Sequence, residues 1–356
     1  MRNHLLARLL ALPLLCIGAA SHAGDCWLPT ADNPVTGYGS ATAAAVHRPW
    51  IARLREAETS MQKDRALNAI DQVRYQAHLY LGTSAHPQAP SAGAITVFLH
   101  APTSWRDGCR LKPEADTQHF AELQVTLNDL TPLESDHALD DGLSGFPVVR
   151  APRQIAEREG APVFETADGR TLVVITRNGL PPLAPVTLGE YLEAWSRQIR
   201  AEREAAARAL DEVARDTEML AYIRTLERSD PAGARELRRT VQDAAQSGNP
   251  ALDEEWQALQ AELSGLSATD RARAVYIGPT SDRHRFSHVR RDAPGAVALV
   301  RVNPALWSGR PAAGDVRVVT LQVVPQDMQA TRAARADRWP LEAALAPFRA
   351  LTRAPQ

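Results

Sequence analysis

Beyond its first residues, the sequence has no apolar run of the about 20 residues that a membrane-spanning helix needs. Lysine is also scarce, because only Lys63 and Lys112 occur among 40 basic residues. The formal net charge is −2, which leaves no basic excess for binding nucleic acid. We therefore expect no nucleic-acid partner and no transmembrane span in the processed chain.

Several catalytic signatures are missing as well. The segment 141–145 (Asp-Gly-Leu-Ser-Gly) is not a Gly-x-Ser-x-Gly elbow, because the residue two positions after Ser144 is Phe146 and not glycine. The sequence contains neither a phosphate-binding loop nor a dinucleotide fingerprint. It therefore indicates no cofactor and leaves open whether the protein is an enzyme.

The N-terminus has the pattern of a secretory signal peptide. Arg2 and Arg8 precede or begin a short apolar run over residues 9–18, and the small residues Ser21 and Ala23 follow it. We predict a signal peptide over residues 1–23, with an uncleaved membrane anchor as the alternative. Because arginine and alanine dominate as in proteins from GC-rich genomes, we expect a bacterial periplasmic protein, or one secreted to the medium.

Cleavage after Ala23 would remove Cys16 and leave Cys26 and Cys109. An even number of cysteines in an oxidising compartment predicts a disulfide between these two residues. The alternative is two separate thiols.

Apolar spacing predicts two short helices between Ala44 and about Leu81. Residues rich in valine, isoleucine and phenylalanine then predict a series of strands. The predicted strands are 94–99, 120–127, 146–150, 162–165, 170–176, 275–277, 297–302 and 316–324, and a last helix is predicted over 340–351.

Residues 187–266 have the pattern of a long antiparallel helical arm. Thr187 and Glu190 form a capping box, and a heptad stripe follows it. Pro231 begins a further helix, because proline is favoured in the first turn. Residues 248–250 (Gly-Asn-Pro) break that helix, and a second heptad seam follows from Leu252 to Leu266. The apolar residues of the stripe that we predict to bind a partner are Leu192, Trp195, Ile199, Val213 and Leu220.

Two stretches of sequence resemble each other. Residues 93–98, followed by Pro102 and Trp105, match residues 295–300, followed by Pro304 and Trp307, without a gap. Further on, Leu-Gln-Val at 123–125 matches Leu-Gln-Val at 321–323. This similarity predicts a duplicated β-unit, with chance similarity between valine-rich strands as the alternative.

Asp282, His284 and His288 have the best metal-like spacing, because histidines four residues apart share a helix face and suit zinc. The surrounding arginines, Arg283, Arg285, Arg290 and Arg291, disfavour a cation. They could bind an anionic group, but such arginines more often form a solvated face.

An acidic cluster is the second candidate for a metal site. It consists of Glu134, Asp136, His137, Asp140 and Asp141, whose oxygens would suit calcium. Its spacing does not fit the twelve-residue calcium loop, so a solvated loop is the favoured interpretation.

These patterns together predict an α+β protein with two similar β-units joined by the helical arm. The expected divisions are a signal peptide (1–23), an N-terminal α+β domain (24–183), the arm (187–266) and a C-terminal β-unit with a terminal helix (270–356). The leading functional hypothesis is a non-enzymatic periplasmic binding protein whose arm binds another envelope or secreted protein. The alternative is a metal-dependent or anion-recognising hydrolase with its site near His284 and His288.

Overall fold

The computed structural model describes residues 27, 35–36, 47–70, 73–82, 92–101, 105–106, 110–111, 119–134, 143, 146–166, 168–215, 217–247, 249–278, 284–309 and 312–353. Its helices are α1 (Arg48–Gln62), α2 (Arg65–Asn68), α3 (Thr131–Glu134), α4 (Leu188–Arg215), α5 (Thr217–Ser229), α6 (Pro231–Ser247), α7 (Pro250–Gly265), α8 (Ala268–Ala272), α9 (Met328–Ala333), α10 (Trp339–Glu342) and α11 (Leu345–Leu351). Its strands are β1 (Val35–Thr36), β2 (Arg74–Gly82), β3 (Ala92–His100), β4 (Trp105–Arg106), β5 (Arg110–Leu111), β6 (Ala121–Leu127), β7 (Val149–Arg150), β8 (Arg153–Arg158), β9 (Ala161–Glu165), β10 (Thr171–Thr176), β11 (Leu183–Pro185), β12 (Tyr276–Ile277), β13 (Val297–Val302) and β14 (Val318–Pro325). Helices and mostly antiparallel strands occupy separate stretches, which confirms the α+β class.

The larger sheet has eight strands in the order β1-β2-β3-β6-β14-β10-β9-β8. β1 is parallel to β2, and the other neighbours are antiparallel. β14 lies in the middle of this sheet, where Leu321 is paired with Val125 on one side and with Val173 on the other. The sheet therefore combines strands that precede α4 in the chain with β14, which follows α7. The sequence alone had not decided between one shared sheet and two.

The main core lies on one face of this sheet. Alternate residues of β2 point into it, and α1 covers them with Trp50, Leu54 and Met61. Gly93 on β3 allows the close approach of α1, because a Cβ atom there would lie 2.9 Å from Leu54 Cδ2. Helices α10 and α11 pack against the same core through Trp339 and Phe348.

The predicted helix pattern between Ala44 and Leu81 is wrong for its last part. Helices end at Asn68, and residues 74–82 form β2. Tyr75, Ala77, Leu79 and Leu81 are buried and their neighbours are more exposed, which is the two-residue period of a strand.

A smaller sheet is built around β13, which pairs with β11, β12 and β7. A second core lies between this sheet and helices α4 and α7, and it contains Leu192, Trp195, Ile199, Leu259 and Phe286. The predicted bounds of β13, residues 297–302, are confirmed.

Helices α4 to α7 run from residue 188 to residue 265. Helix α4 packs against α7 and α6, and α5 packs against α6. The predicted helix start at Pro231 is confirmed, and the predicted break at residues 248–250 falls between the end of α6 at Ser247 and the start of α7 at Pro250. Within the described part of the chain, no helix combines the length and the apolar character needed to cross a membrane.

The strands of the two similar stretches are arranged differently. β3 and β6 are neighbours in the larger sheet, whereas β13 and β14 lie in different sheets. The matching strands β6 and β14 pair with each other, and Gln124 lies opposite Gln322. Gln322 Nε2 donates a 2.8 Å hydrogen bond to Gln124 Oε1.

A buried polar network holds the end of β14 to the rest of the fold. The Asp315 carboxylate accepts hydrogen bonds from Arg177 and from Arg317 Nε, the latter at 2.8 Å. Asn128 Oδ1 accepts from the Arg317 amide at 2.7 Å, and Asn128 Nδ2 donates to Asp315 O at 2.8 Å. Burial acts to raise the pKa of Asp315, and the hydrogen bonds from the two arginines more than offset it, so the pKa lies below its ordinary value.

Candidate anion-binding pocket

The segment 284–292 is fixed to the smaller sheet and to the helices at several points. Phe286 is buried in the second core, and the His284 ring stacks on it with a centroid distance of 5.0 Å. The Val289 amide donates to Tyr276 O at 2.8 Å, which extends the β-pairing of β12. The side chains that follow are thereby brought to the start of α4.

Arg285 is the strongest polar link between this segment and the helices. Its guanidinium donates to Glu202 of α4 and to Glu255 of α7, with shortest distances of 2.8 and 2.7 Å. It also lies over the Trp195 ring, with 5.2 Å between Cζ and the ring centroid. The hydrogen bonds from Arg285 lower the pKa of Glu202. Arg285 is thus engaged in structural contacts and is not available to a ligand.

His288 stands between one cation and one anion. Its Nε2 lies 3.2 Å from Arg273 Nη2, and its Nδ1 lies 3.3 Å from Glu262 Oε1. Arginine has only donors, so His288 Nε2 must accept, and the proton of a neutral ring then sits on Nδ1, facing Glu262. Burial lowers the pKa of His288, Glu262 acts to raise it and Arg273 lowers it, so the pKa lies below its ordinary value of 6.5.

A pocket of about 630 Å³ opens beside His288, and we call it the arginine pocket. Its volume falls within the range of ordinary small-molecule sites. The lining residues are Leu188, Arg273, Ala274, Val275, Tyr276, His288, Val289, Arg290, Arg291 and Asp292.

The residues that line the arginine pocket carry more positive than negative charge. Three of its lining residues are arginines, and one, Asp292, is a carboxylate. Asp292 pairs with Arg290 at 3.2 Å, and both side chains are largely exposed. Arg273 and Arg291 make no ion pair with a described residue. Their guanidinium groups are the ones best placed to meet an anion.

The wall formed by the start of α4 is set by the predicted capping box, which the structure confirms. The Glu190 amide donates to Thr187 Oγ1 at 3.3 Å, and the Thr187 amide donates to Glu190 Oε2 at 3.0 Å. The Leu188 amide donates to Arg273 O at 2.8 Å. These contacts fix the backbone of Arg273 against the helix start.

The three predicted metal ligands are not brought together by what the structure describes. His284 stacks on Phe286, both ring nitrogens of His288 face other side chains, and Asp282 lies outside the described residues. The described residues contain no group of three or more histidine, cysteine, aspartate or glutamate side chains placed to hold a metal. The metal site stays a prediction that depends on Asp282.

Two other predicted sites fall on residues that are not described. Cys26 and Cys109 lie outside the described residues, and so do Asp136, His137, Asp140 and Asp141 of the acidic cluster. Glu134 ends α3, where burial, followed by the charge of Asp129, raises the pKa of its carboxyl.

The residues of the predicted partner-binding stripe differ in how far they are buried. Leu192, Trp195 and Ile199 are buried in the second core, and Leu220 is half-buried. Val213 lies in α4, and its side chain is outside the described part. Tyr222 on α5, which the stripe did not include, is 57% exposed.

Sequence reasoning found Arg290, Arg291 and His288 but missed Arg273, Tyr276 and Asp292. Arg273 lies fifteen residues from His288 in the chain. Its proximity depends on the pairing of Tyr276 with Val289 and of Thr187 with Ala274. The only sequence signal that could have located Arg273 was the predicted strand 275–277, for which no partner strand had been predicted.

Comparisons of the chain with protein families, curated proteins and solved structures find no match.

Proposed function

We propose that the protein is a non-enzymatic binding protein that holds an anionic group in the arginine pocket. The observation that carries this proposal is the lining of a 630 Å³ pocket by three arginines and one carboxylate. Guanidinium groups bind carboxylate and phosphate oxygens in a bidentate manner, and a concave site with a few polar groups on an apolar floor is the usual form of a ligand pocket.

The experiment is isothermal titration calorimetry with inorganic phosphate and with benzoate. We expect binding to the wild type and its loss in the triple variant R273A/R290A/R291A. The matched control is R158A/R228A/R338A, which removes the same charge from exposed arginines that do not line the pocket. Equal binding by both triple variants would refute the proposal, because net charge alone would then explain it.

A second candidate function uses the helical arm to bind another envelope or secreted protein. Tyr222 favours it, because a tyrosine that is 57% exposed on a helix is a common anchor at interfaces. The packing of α4 on α7 and of α5 on α6 supports the antiparallel arm itself. A photo-crosslinker at position 222 should yield an adduct with another protein in cells, and one at exposed position 155 should not. Adducts at both positions would contradict the arm as the binding element.

Export and the disulfide belong to the same proposal. We expect a periplasmic or secreted mature chain that begins at Gly24 and contains a Cys26–Cys109 bridge. Mass spectrometry of the non-reduced protein from cells measures both features. A chain that retains residues 1–23, or two free thiols, would contradict the respective part.

The division into two similar β-units remains a proposal about origin. The face-to-face pairing of Gln124 with Gln322, the middle residues of the matching triplets, supports it. The different sheets of β13 and β14 require that the units diverged in their pairing.

The hydrolase alternative makes a separate prediction. A metal that raises the melting temperature, an effect reversed by EDTA and absent in H284A/H288A, would favour the enzyme. Without such an effect the binding protein is the better interpretation.

A further inference from the structure

The charges and the floor of the arginine pocket restrict the class of anion. This inference rests on the proposed anion-binding function and asks which anion the pocket suits. Arg273, Arg290 and Arg291 contribute three positive charges, and Asp292 contributes one negative charge. His288 contributes no charge near neutral pH, because its Nε2 accepts a hydrogen bond from Arg273 and its pKa is lowered. Counted over the lining residues, with Glu262 and Asp270 outside the lining, the remaining two positive charges match a group that carries two negative charges.

The Asp292 carboxylate pairs with Arg290, so it does not neutralise Arg273 or Arg291. The pair joins Asp292 Oδ1 to Arg290 Nε at 3.2 Å, and Asp292 Oδ2 accepts from Arg290 Nη2 at 3.3 Å. Neither Arg273 nor Arg291 forms an ion pair with a described carboxylate, although the charge of Arg273 acts on Asp270 and helps to lower the pKa of that carboxyl. A ligand with two charges would satisfy these two guanidinium groups without displacing Asp292.

The pocket is also too large and too apolar for a bare inorganic ion. Its volume of about 630 Å³ falls within the range of sites for small organic molecules. Ala274, Tyr276 and Val289 are partly exposed and form its apolar lining, and Leu188 and Val275 are buried behind them. A ligand that consists of an anion alone would leave this surface in contact with water.

We propose that the arginine pocket binds a phosphate monoester, in which a doubly charged phosphate meets Arg273 and Arg291 and an apolar organic group contacts the floor at Val289. A monoester carries close to two negative charges above its second pKa of about 6, whereas a carboxylate or a phosphodiester carries one. The monoester is the common biological group that combines this charge with an organic substituent.

The test compares three soluble probes by calorimetry at neutral pH: phenyl phosphate, methyl phenyl phosphate and inorganic phosphate. Phenyl phosphate should bind about tenfold more tightly than inorganic phosphate, because its ring covers apolar surface. It should also bind about tenfold more tightly than the diester, which has the ring but only one charge.

A matched variant separates the two parts of the site. Val289→Thr keeps the shape of the side chain and the backbone hydrogen bond to Tyr276, and because Val289 is only partly buried the added hydroxyl can remain hydrated, so the fold is retained. It should weaken phenyl phosphate several-fold and leave inorganic phosphate unchanged. An equal effect on both probes would overturn the assignment of the organic group to the floor.

The outcomes distinguish this inference from the proposed function. If phosphate and benzoate bind through the arginines and phenyl phosphate is no tighter than either, the monoester is refuted and the anion site stands. If no anion binds, both are refuted.

The same monoester occurs in solution and on a lipid headgroup, so vesicles of phosphatidylcholine containing phosphatidic acid form a further arm. Arginine-dependent sedimentation with these vesicles would support the class and assign it to a membrane surface. Binding of phenyl phosphate without sedimentation would support the class and assign it to a soluble ligand.

Discussion

Arg273 donates a hydrogen bond to His288 Nε2 across 3.2 Å, and this contact fixes the protonation state of the histidine. The ring can accept from Arg273 only while Nε2 carries no proton. Protonation would place a second cation against the guanidinium and break the contact. Glu262, 3.3 Å from Nδ1, faces the opposite side of the ring and favours the same tautomer.

The first prediction concerns the pH dependence of stability. Burial, with the further effect of Arg273, holds the pKa of folded His288 below 6.5, so the unfolded chain binds more protons at pH values between the two pKa values. The free energy of unfolding therefore rises with pH in this interval and falls as the pH drops below about 6.5. Urea unfolding across the interval should show a shallower slope for H288Q than for the wild type. Parallel profiles for H288Q and the wild type would mean that His288 does not contribute to the pH dependence of the free energy of unfolding.

The second prediction concerns the Arg285 contacts with Glu202, Glu255 and the Trp195 ring. R285A should lower the free energy of unfolding by about 1–3 kcal/mol, because it removes charged hydrogen bonds that are only partly exposed. R285K should recover only part of this loss, since lysine lacks the planar fork. Denaturant unfolding measures both variants. The control is R153A, whose exposed pair with Glu165 should contribute less than about 1 kcal/mol. Similar losses for R285A and R153A would contradict the structural role.

The third prediction concerns Asp315, which is 2% exposed and lies between Arg177 and Arg317. D315A would leave both guanidinium groups without their carboxylate, so we expect a loss of about 3–5 kcal/mol in the free energy of unfolding. Chemical denaturation measures it, with D337A as an exposed control that should stay within about 0.5 kcal/mol.

The pKa of Asp315 gives this prediction a pH dependence. Because the folded pKa is below the ordinary value of 3.8, its contribution is present above about pH 3.8 and is lost as the pH falls through the folded pKa. A wild-type advantage over D315A that does not shrink in acid would show that Asp315 acts through packing and not through its charge.

Local chemistry explains which elements were predictable. Pro231 starts α6 because a proline ring suits the first turn, and Thr187 and Glu190, only three residues apart, cap α4 by hydrogen bonding to each other's backbone amides. The strand β13 was predictable from its run of branched residues. In each case the interaction that decides the structure is close in sequence.

Long-range pairing explains what was not predictable. β14 enters the larger sheet between β6 and β10, a choice that depends on partners about 150 to 200 residues away. The arginine pocket has the same origin, because Arg273 reaches His288 only when Tyr276 pairs with Val289. The pattern of β2 was misread because its apolar residues fit a helical spacing as well as an alternating one.

The last prediction compares Trp195, a residue of the predicted binding stripe, with Tyr222 on α5, which the stripe did not include. Trp195 is buried in the second core, so W195A should lower the free energy of unfolding by about 3–5 kcal/mol. Tyr222 is exposed, so Y222A should change it by less than about 0.5 kcal/mol. Urea unfolding of both variants measures the difference. If Y222A were as destabilising as W195A, Tyr222 would pack in the folded chain and would not be available to a partner. A stable Y222A that no longer co-purifies with the partner identified by the crosslinker at position 222 would instead locate the docking surface on α5, away from the residues that hold α4 to the smaller sheet.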